Sequence, residues 1–420
     1  MSRAMKHSGI EWIGEIPKEW NLVRAKSLFA QRNSKGNESA VLLSATQKQG
    51  MMPQSLLEGV VQVNKNTDLQ TFKTVHINDY VISLRSFQGG FEKSNYEGVC
   101  SPAYQVFYNI TPIDHNYYWL LFKSYGFVDK INSLTVGIRE GKNIQYKDFA
   151  NMIIAVPPLH EQQKIANYLD KICGEIDEIT ALQEQMIEEL KAYKQSVITE
   201  AVTKGLNPNV PMTDRGIDWI GKVPEHWEVR RIGHLFKLRD EKNYKPMDEV
   251  QLLSLYTGIG VFPHGEQEER GNKAITVEGY KVVHKDDIVV NIILAWMGAI
   301  GVSNYDGVTS PAYDVYIPDL SKVVPHFFHY VFRTQGIAGE CYKYGRGIMM
   351  MRWRTYSSEF KQIRVPFPSM EEQRSIADFL DTKCSEIDAL IAIKQQKIDE
   401  LKDYKKSVIY EYVTGKKEVV

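Results

Sequence analysis

The sequence predicts a tandemly duplicated mixed domain of the α/β (α+β) kind, each copy followed by one long α-helix, with the two helices pairing as a coiled coil. Three observations predict it. Long blocks of the first half return in the second, proline disappears from two heptad-patterned stretches, and charge divides along the same boundaries.

The repeat comes first. Residues 8–29, SGIEWIGEIPKEWNLVRAKSLF, return as RGIDWIGKVPEHWEVRRIGHLF at 215–236, an offset of 207. NYEGVCSPAYQVF at 95–107 returns as NYDGVTSPAYDVY at 304–316, with 9 of 13 positions identical. EQQKIANYLDKICGEID at 161–177 and LKAYKQSVITEAVT at 190–203 return at 372–388 and 401–414, by which point the offset has drifted only to 211. One duplication with small loop changes accounts for all four. It also disposes of a nucleotide-binding reading of Gly216 to Val223, whose Gly-x4-Gly-Lys resembles a phosphate loop. The magnesium position is Val223, and the first copy puts Glu15 where the lysine should be. The shared Trp, Ile, Gly and Pro make this a structural opening segment.

Each copy then has two parts. Residues 1–155 and 210–364 carry short β-like runs (80–84 and 287–290), Gly-rich turns and many aromatics. Residues 156–209 and 365–420 open on Pro157-Pro158 and on Pro366 and Pro368, then lack proline through the following stretch, as helices do. In the first helix Ile165, Leu169, Ile172, Ile176, Ile179, Gln183, Met186, Leu190, Tyr193 and Val197 fall at alternating steps of four and three, a heptad seam with one polar break. The second keeps Ile376, Leu380, Ile387, Leu390, Leu401, Tyr404 and Val408 but places Lys383, Lys394 and Lys397 in the same register. Its seam is therefore weaker or uses the neighbouring Cys384, Ile391 and Ile398. Gln183 and the three lysines either fix register or flank an imperfect seam. A helix this long cannot bury its stripe alone, and pairing of the two is the simplest solution. Formal charge is +4 and +1 in the mixed parts and −4 and −2 in the helical ones, which a net charge of −1 conceals.

Composition narrows the class. With 420 residues, 43% apolar and 25% charged, the chain has material for two or three cores and reads as a soluble globular protein. No run of apolar residues reaches membrane-spanning length, and the first residues lack the apolar core of a signal peptide, so a cytoplasmic protein with no membrane partner is expected. Cys100, Cys173, Cys341 and Cys384 form no CxxC pair, and buried apolar roles are expected for them. No histidine pair has metal-ligand spacing.

The Trp-x-Gly-x-[Ile/Val]-Pro-x-x-Trp opening (Trp12 to Trp20, Trp219 to Trp227), the Ser-Pro-Ala-Tyr block (101–104, 310–313) and the Pro-Pro-Leu-His-Glu-Gln helix start, read as Pro368-Ser-Met-Glu-Glu-Gln in the second copy, carry a resemblance. Across its length the chain resembles the specificity subunit of type I restriction–modification enzymes. That resemblance implies two target-recognition domains (1–155 and 210–364), each reading half of a bipartite site on double-stranded DNA. It implies long spacer helices (156–209 and 365–420) that pair antiparallel and dock two modification (adenine methyltransferase) subunits, with restriction subunits joining them. It implies no catalysis and no cofactor on this chain, S-adenosylmethionine being expected on the modification subunit.

Reading base edges takes Arg, Lys, Asn or Gln within reach of a groove, and hydroxyls and lysines more often hold phosphates. The candidates are Gln47, Lys48, Arg85, Gln88, Lys93, Arg139, Lys142, Asn143 and Gln145 in the first copy, with Tyr256, Thr257, Arg346, Arg352 and Arg354 in the second. Their loops differ between copies (47–59 against 256–268) although the scaffold blocks match, so two different half-sites are expected. The tryptophans and the Pro-Ala-Tyr blocks, shared by both, read as structural. Competing readings are weaker. A methyltransferase would need an Asn-Pro-Pro-aromatic block, and the nearest match is Asn207-Pro208-Asn209-Val210, while Gly258-Ile-Gly260 is a lone Gly-x-Gly and Asp319 lacks nuclease partners. A coiled-coil scaffold, or the specificity subunit of a methylation-only system, are the alternatives.

Overall fold

The structure is a computed structural model that describes residues 3–36, 40–47, 49–57, 69–83, 90–134, 144–265, 276–347 and 353–419. The chain divides into two compact units. One joins Met1–Glu184 to Gln395–Val420, and the other is the continuous stretch Gln185–Lys394.

In the first unit a four-stranded antiparallel sheet runs Phe29–Arg32, Gln105–Asn109, Tyr80–Ile82, Phe91–Lys93. Its inner face is aromatic: Phe29, Tyr80, Phe91 and Phe107 pack with Phe122 and Phe149 from the short helices His115–Lys123 and Tyr146–Asn151. Phe107 and Phe149 approach to 4.8 Å between ring centroids. Aromatic rings suit this core because each removes a large apolar area from water and tilted packing fills the space between sheet and helices. Asn21–Arg24 pairs with Ile153–Val156, so the domain is tied off just before its long helix begins.

The second unit repeats the plan. Its sheet runs Phe236–Leu238, Tyr313–Pro318, Ile288–Asn291, Ile300–Val302, and Glu228–Arg231 pairs with Arg364–Phe367. Buried ion pairs repeat with it. Arg32 meets Asp79 at 2.6 Å in one unit, and Arg239 meets Asp287 at 2.8 Å in the other. Trp20 Nε1 donates to Glu161 and Trp227 Nε1 donates to Glu372, so each opening segment is bolted to the first turn of its own helix. The Trp20 and Trp227 rings are buried, the Ser-Pro-Ala-Tyr blocks form turns closed by Tyr104 N–H to Ser101 O and Tyr313 N–H to Ser310 O, and all four cysteines are buried.

The long helices are Leu159–Lys204, with 46 residues, and Met370–Val413, with 44, each about 65–70 Å at 1.5 Å per residue. They run antiparallel within each unit. In the first, Lys405 reaches Asp177 at 2.6 Å and the rings of Tyr168 and Tyr412 lie 4.7 Å apart. In the second, Lys194 reaches Asp388 at 2.7 Å and Lys394 Nζ lies 3.4 Å from Met186 Sδ. The two Lys–Asp bridges are one bridge made twice, since Asp388 and Lys405 are the repeats of Asp177 and Lys194.

Burial moves five of the sixteen expected apolar seam positions by one residue. Ile165, Leu169, Ile176, Ile376, Leu380, Ile387 and Val408 are buried, and Ile172, Leu190, Val197 and Leu401 are half-buried, as expected. Ile179, Met186, Tyr193, Leu390 and Tyr404 are instead exposed. The inner row takes their neighbours Thr180, Ile187, Lys194, Ile391 and Lys405, joined by Cys173, Cys384 and Ile398. Neighbouring heptad registers share every second position, and apolarity alone favours the wrong one where a lysine sits inside. Lys194 and Lys405 do so by laying their stems along the seam and carrying their ammonium groups out to an aspartate. Of the other polar residues in register, Gln183, Lys383 and Lys394 are half-buried and Lys397 is exposed.

The far end of each long helix closes a domain core. Val408 and Val413 join the first unit's core, Tyr117 donates its hydroxyl proton to Val413 O, and Tyr410 donates to Trp12 O. Ile198, Ala201 and Val202 do the same in the second unit. Gly415 ends the second long helix at φ +72°, where a Cβ would lie 2.5 Å from Pro17 Cδ and 2.9 Å from the Trp20 ring. Gly415→Ala combines left-handed strain with overpacking and should lower stability by about 2 kcal/mol. Gly174→Ala, in mid-helix with nothing within 4 Å of its Cβ, should raise it by about 0.5–1 kcal/mol. Urea midpoints followed by tryptophan fluorescence check both, and a midpoint unmoved by Gly415→Ala would show that this helix end is not held.

Candidate nucleic-acid interface

Each unit presents a β-hairpin at corresponding positions: Leu43–Thr46 with Gly50–Pro53, and Leu253–Tyr256 with Gly260–Pro263. In the first unit the turn leaves Gln47 exposed, and Thr46 Oγ1 accepts from Gln49 N–H while donating to Gly50 O. Gly50, at φ +75°, lies so close to the strand behind that a Cβ would meet Lys93 O at 2.3 Å, which requires glycine. In the second unit Tyr256 is half-buried against Phe262, and Thr257, Gly258 and Ile259 are exposed at the tip. Such tips offer hydroxyl and amide groups of the sort that hold phosphates and read base edges.

The other described candidates differ in how free they are. Lys93 is half-buried and committed. Its Nζ donates to Asn116 Oδ1 at 2.6 Å and lies 5.9 Å from the centre of the Trp119 ring, and burial pushes its pKa down. Gln145 is exposed at the N-cap of the helix Tyr146–Asn151. Arg346 and Arg354 are exposed and pair backbone to backbone across an antiparallel bridge, at 3.0 and 3.1 Å, which brings the two side chains together. Arg346 is ion-paired to Glu359 and lies over Tyr356. Trp353 stacks on Tyr342 beside them, at 5.1 Å. The structure thus groups Tyr256 with Thr257, and Arg346 with Arg354. Lys48, Arg85, Gln88, Arg139, Lys142, Asn143 and Arg352 lie outside the described residues.

Sequence reasoning missed a cation behind each hairpin. Lys123 donates to Glu92 Oε1 at 2.6 Å and to Gln47 O at 3.3 Å, so it ties the first hairpin's turn to the sheet. Burial raises the Glu92 carboxyl and lowers the Lys123 ammonium, and their mutual attraction opposes both shifts. In the second unit Arg333 stands behind the hairpin, 3.4 Å from where a Gly260 Cβ would be. Its Nε and Nη2 are buried without a hydrogen-bond partner. His329 lies alongside, stacked on His326 at 5.7 Å, and burial, with Arg333 and His326 adding to it, pushes its imidazole down to about 3. Both cations sit in unremarkable stretches, LLFKS and YVFRT, which offered no signal beyond their alignment in the repeat. Among the described residues no cluster of His, Cys, Asp and Glu could hold a metal ion, and no helix is long and apolar enough to cross a membrane.

Comparison with known proteins matches residues 17–192 and 224–403 to the type I restriction modification DNA specificity domain. The putative type I restriction enzyme MjaX specificity subunit of Methanocaldococcus jannaschii is 26% identical, over 96% of this chain and 95% of that protein. Among solved structures, a chain from work on complex assembly and conformational transition of the type I R-M system aligns with TM-score 0.67 and 14% identity, covering 95% of this chain and 98% of its own. The HsdS subunit from Thermoanaerobacter tengcongensis aligns with TM-score 0.56 and 14% identity, again over 95% and 98%. These two likenesses concern the fold.

The His329 shift has a pH consequence. The folded state keeps the ring neutral while the unfolded chain takes up a proton near pH 6.5, so stability falls as pH drops below that value and goes on falling toward 3. Between pH 7 and pH 5 the loss from this residue is about 2 kcal/mol. His329→Phe should remove it, and urea midpoints of both proteins at the two pH values check this. Equal acid losses in the two would refute the neutral ring.

Proposed function

The chain belongs to the type I restriction modification DNA specificity family, and we propose that it reads an asymmetric, two-part DNA site, one half through each unit, as a non-catalytic subunit of a methyltransferase and restriction complex. The observation that carries this is the contrast between scaffold and tip. Sheet order, the Trp–Glu bolts, the Arg–Asp pairs and the Lys–Asp bridges repeat from unit to unit. The hairpin turns, Gln47 to Gln49 against Thr257 to Ile259, do not. Equal scaffolds bearing different tips suit two different half-sites. A palindromic target would call for equal tips.

The helices support the rest of the reading. Their length allows them to set the separation of half-sites, which on one face of DNA is about one helical turn, roughly 34 Å. Their outer faces carry apolar side chains in the open: Ile179, Leu182 and Tyr404 in the first unit, and Met186, Tyr193, Leu390 and Ile393 in the second. Exposed apolar rows of this kind are what a docking protein covers. We assign them to modification subunits, where S-adenosylmethionine would be bound, with restriction subunits joining that assembly.

Mapping adenine methylation genome-wide, with and without this gene, tests the reading, because one bipartite motif should vanish. Replacing residues 30–145 with those of a relative should change one half of that motif only, and a change in both halves would show that the units do not read independently. Inserting four residues beside Gln183, about one helical turn, should alter the spacer and leave both halves intact. An unchanged spacer would remove the helices from the role of ruler.

A further inference from the structure

The two cations behind the hairpins occupy the same place in the repeat. Gln162 Oε1 accepts from Asp114 N–H and Gln373 Oε1 accepts from Val324 N–H, so Asp114 corresponds to Val324 and, counting on, Lys123 to Arg333. The next residues agree, since Ser124 Oγ donates to Leu121 O and Thr334 Oγ1 donates to Val331 O. Strand register fixes the other side. Glu92 pairs with Val81 and Gly301 pairs with Val289, while the aspartates two residues before these valines, Asp79 and Asp287, hold the equivalent arginines. Glu92 therefore corresponds to Gly301.

The first unit closes its cation internally, because Glu92 is buried and bonded to Lys123 at 2.6 Å. The second has a glycine where that carboxylate would be and an arginine in place of the lysine. Among the described residues no acid forms an ion pair with Arg333 to make up the difference. Asp388 is taken by Lys194 at 2.7 Å, and Asp381 accepts from Tyr330 at 2.5 Å and faces His326 at 2.7 Å. His329, the ring beside it, carries no negative charge in any protonation state. The Arg333 carbonyl accepts from Gln195 Nε2 at 3.3 Å. The residue as a whole keeps part of its surface open.

We propose that Arg333 is a DNA backbone-phosphate contact peculiar to the second unit, an open cation that the first unit has closed with its own carboxylate. A guanidinium already stripped of water at two nitrogens, with no hydrogen-bonded carboxylate among the described residues, gains more from an arriving anion than a solvated one does. The hairpin in front of it carries Tyr256 and Thr257, hydroxyl side chains common in phosphate contacts. This rests on the DNA-specificity reading above, which supplies the anion.

The test uses the full chain with its methyltransferase subunits and a DNA duplex carrying the mapped motif, titrated between 50 and 200 mM salt. Wild-type binding that ignores salt would defeat the DNA reading itself, before Arg333 is considered. Given salt-sensitive wild-type binding, Arg333→Gln should make the log–log slope shallower by about 0.9, the value for one phosphate, and weaken binding by about tenfold. Arg333→Lys should keep the slope. The melting temperature of free Arg333→Gln should equal or exceed that of wild type, because no internal partner is lost. An unchanged slope overturns the proposal, and so does a lowered melting temperature. A motif altered at one base pair would make Arg333 a base reader, and weakened subunit assembly at constant slope would give its anion to a protein partner; either result refutes the phosphate contact.

Discussion

The inner edge of two long helices is the constraint from which the rest follows. Neither helix can leave a row of apolar side chains over more than 40 residues in water, and each unit solves this by laying one helix antiparallel against the other. Antiparallel pairing in a duplicated chain makes the repeat reciprocal. Lys194 meets Asp388 and Lys405 meets Asp177, the same two side chains with the helices exchanged. It also carries the far end of each helix into a domain core, where Val413 and Gly415 sit against Tyr117 and Trp20, and Val202 and Gly205 against the core around Trp227. The mixed domains are thus completed by the helices, and helix and domain share one hydrophobic core in each unit.

Much of this was legible in the sequence, because duplication shows which residues a fold insists on. Trp20 and Trp227, the helix starts at Glu161 and Glu372, and the Ser-Pro-Ala-Tyr turns were repeated in spite of divergence around them, and all proved to be joints of the scaffold. The seam was legible only to within a residue. Ile179, Met186 and Tyr193 looked like core, whereas Thr180, Ile187 and Lys194 are the inner positions, because pattern reading weighs side-chain polarity and cannot see that a lysine stem is apolar. The candidate reading surface was the least legible part. Lys93 looked like a free cation beside a loop, yet the strand pairing turns it toward Asn116 and Trp119. Arg333 gave no sign at all, since its significance lies in a glycine 32 positions earlier in the chain, Gly301, that lacks a carboxylate.

Charge therefore has two uses in this protein. The pairs that recur, Arg32 with Asp79 and Arg239 with Asp287, are internal fasteners and say nothing about partners. Charges that one unit satisfies and the other leaves open are where the copies have parted. A residue-by-residue comparison of the two halves separates these classes without any outside relative, because each half serves as the reference for its twin.

The division of the chain into a continuous unit and a split one bears on how the protein is made. Residues 185–394 contain everything the second unit needs. The first unit, although its strands leave the ribosome earlier, lacks Val408, Val413 and the Gly415 turn until the segment from Gln395 onward has been translated. Order of synthesis and order of completion are therefore reversed. During translation the Trp12 and Trp20 side of the first unit waits with its core open, and transiently exposed apolar surface of this kind favours aggregation.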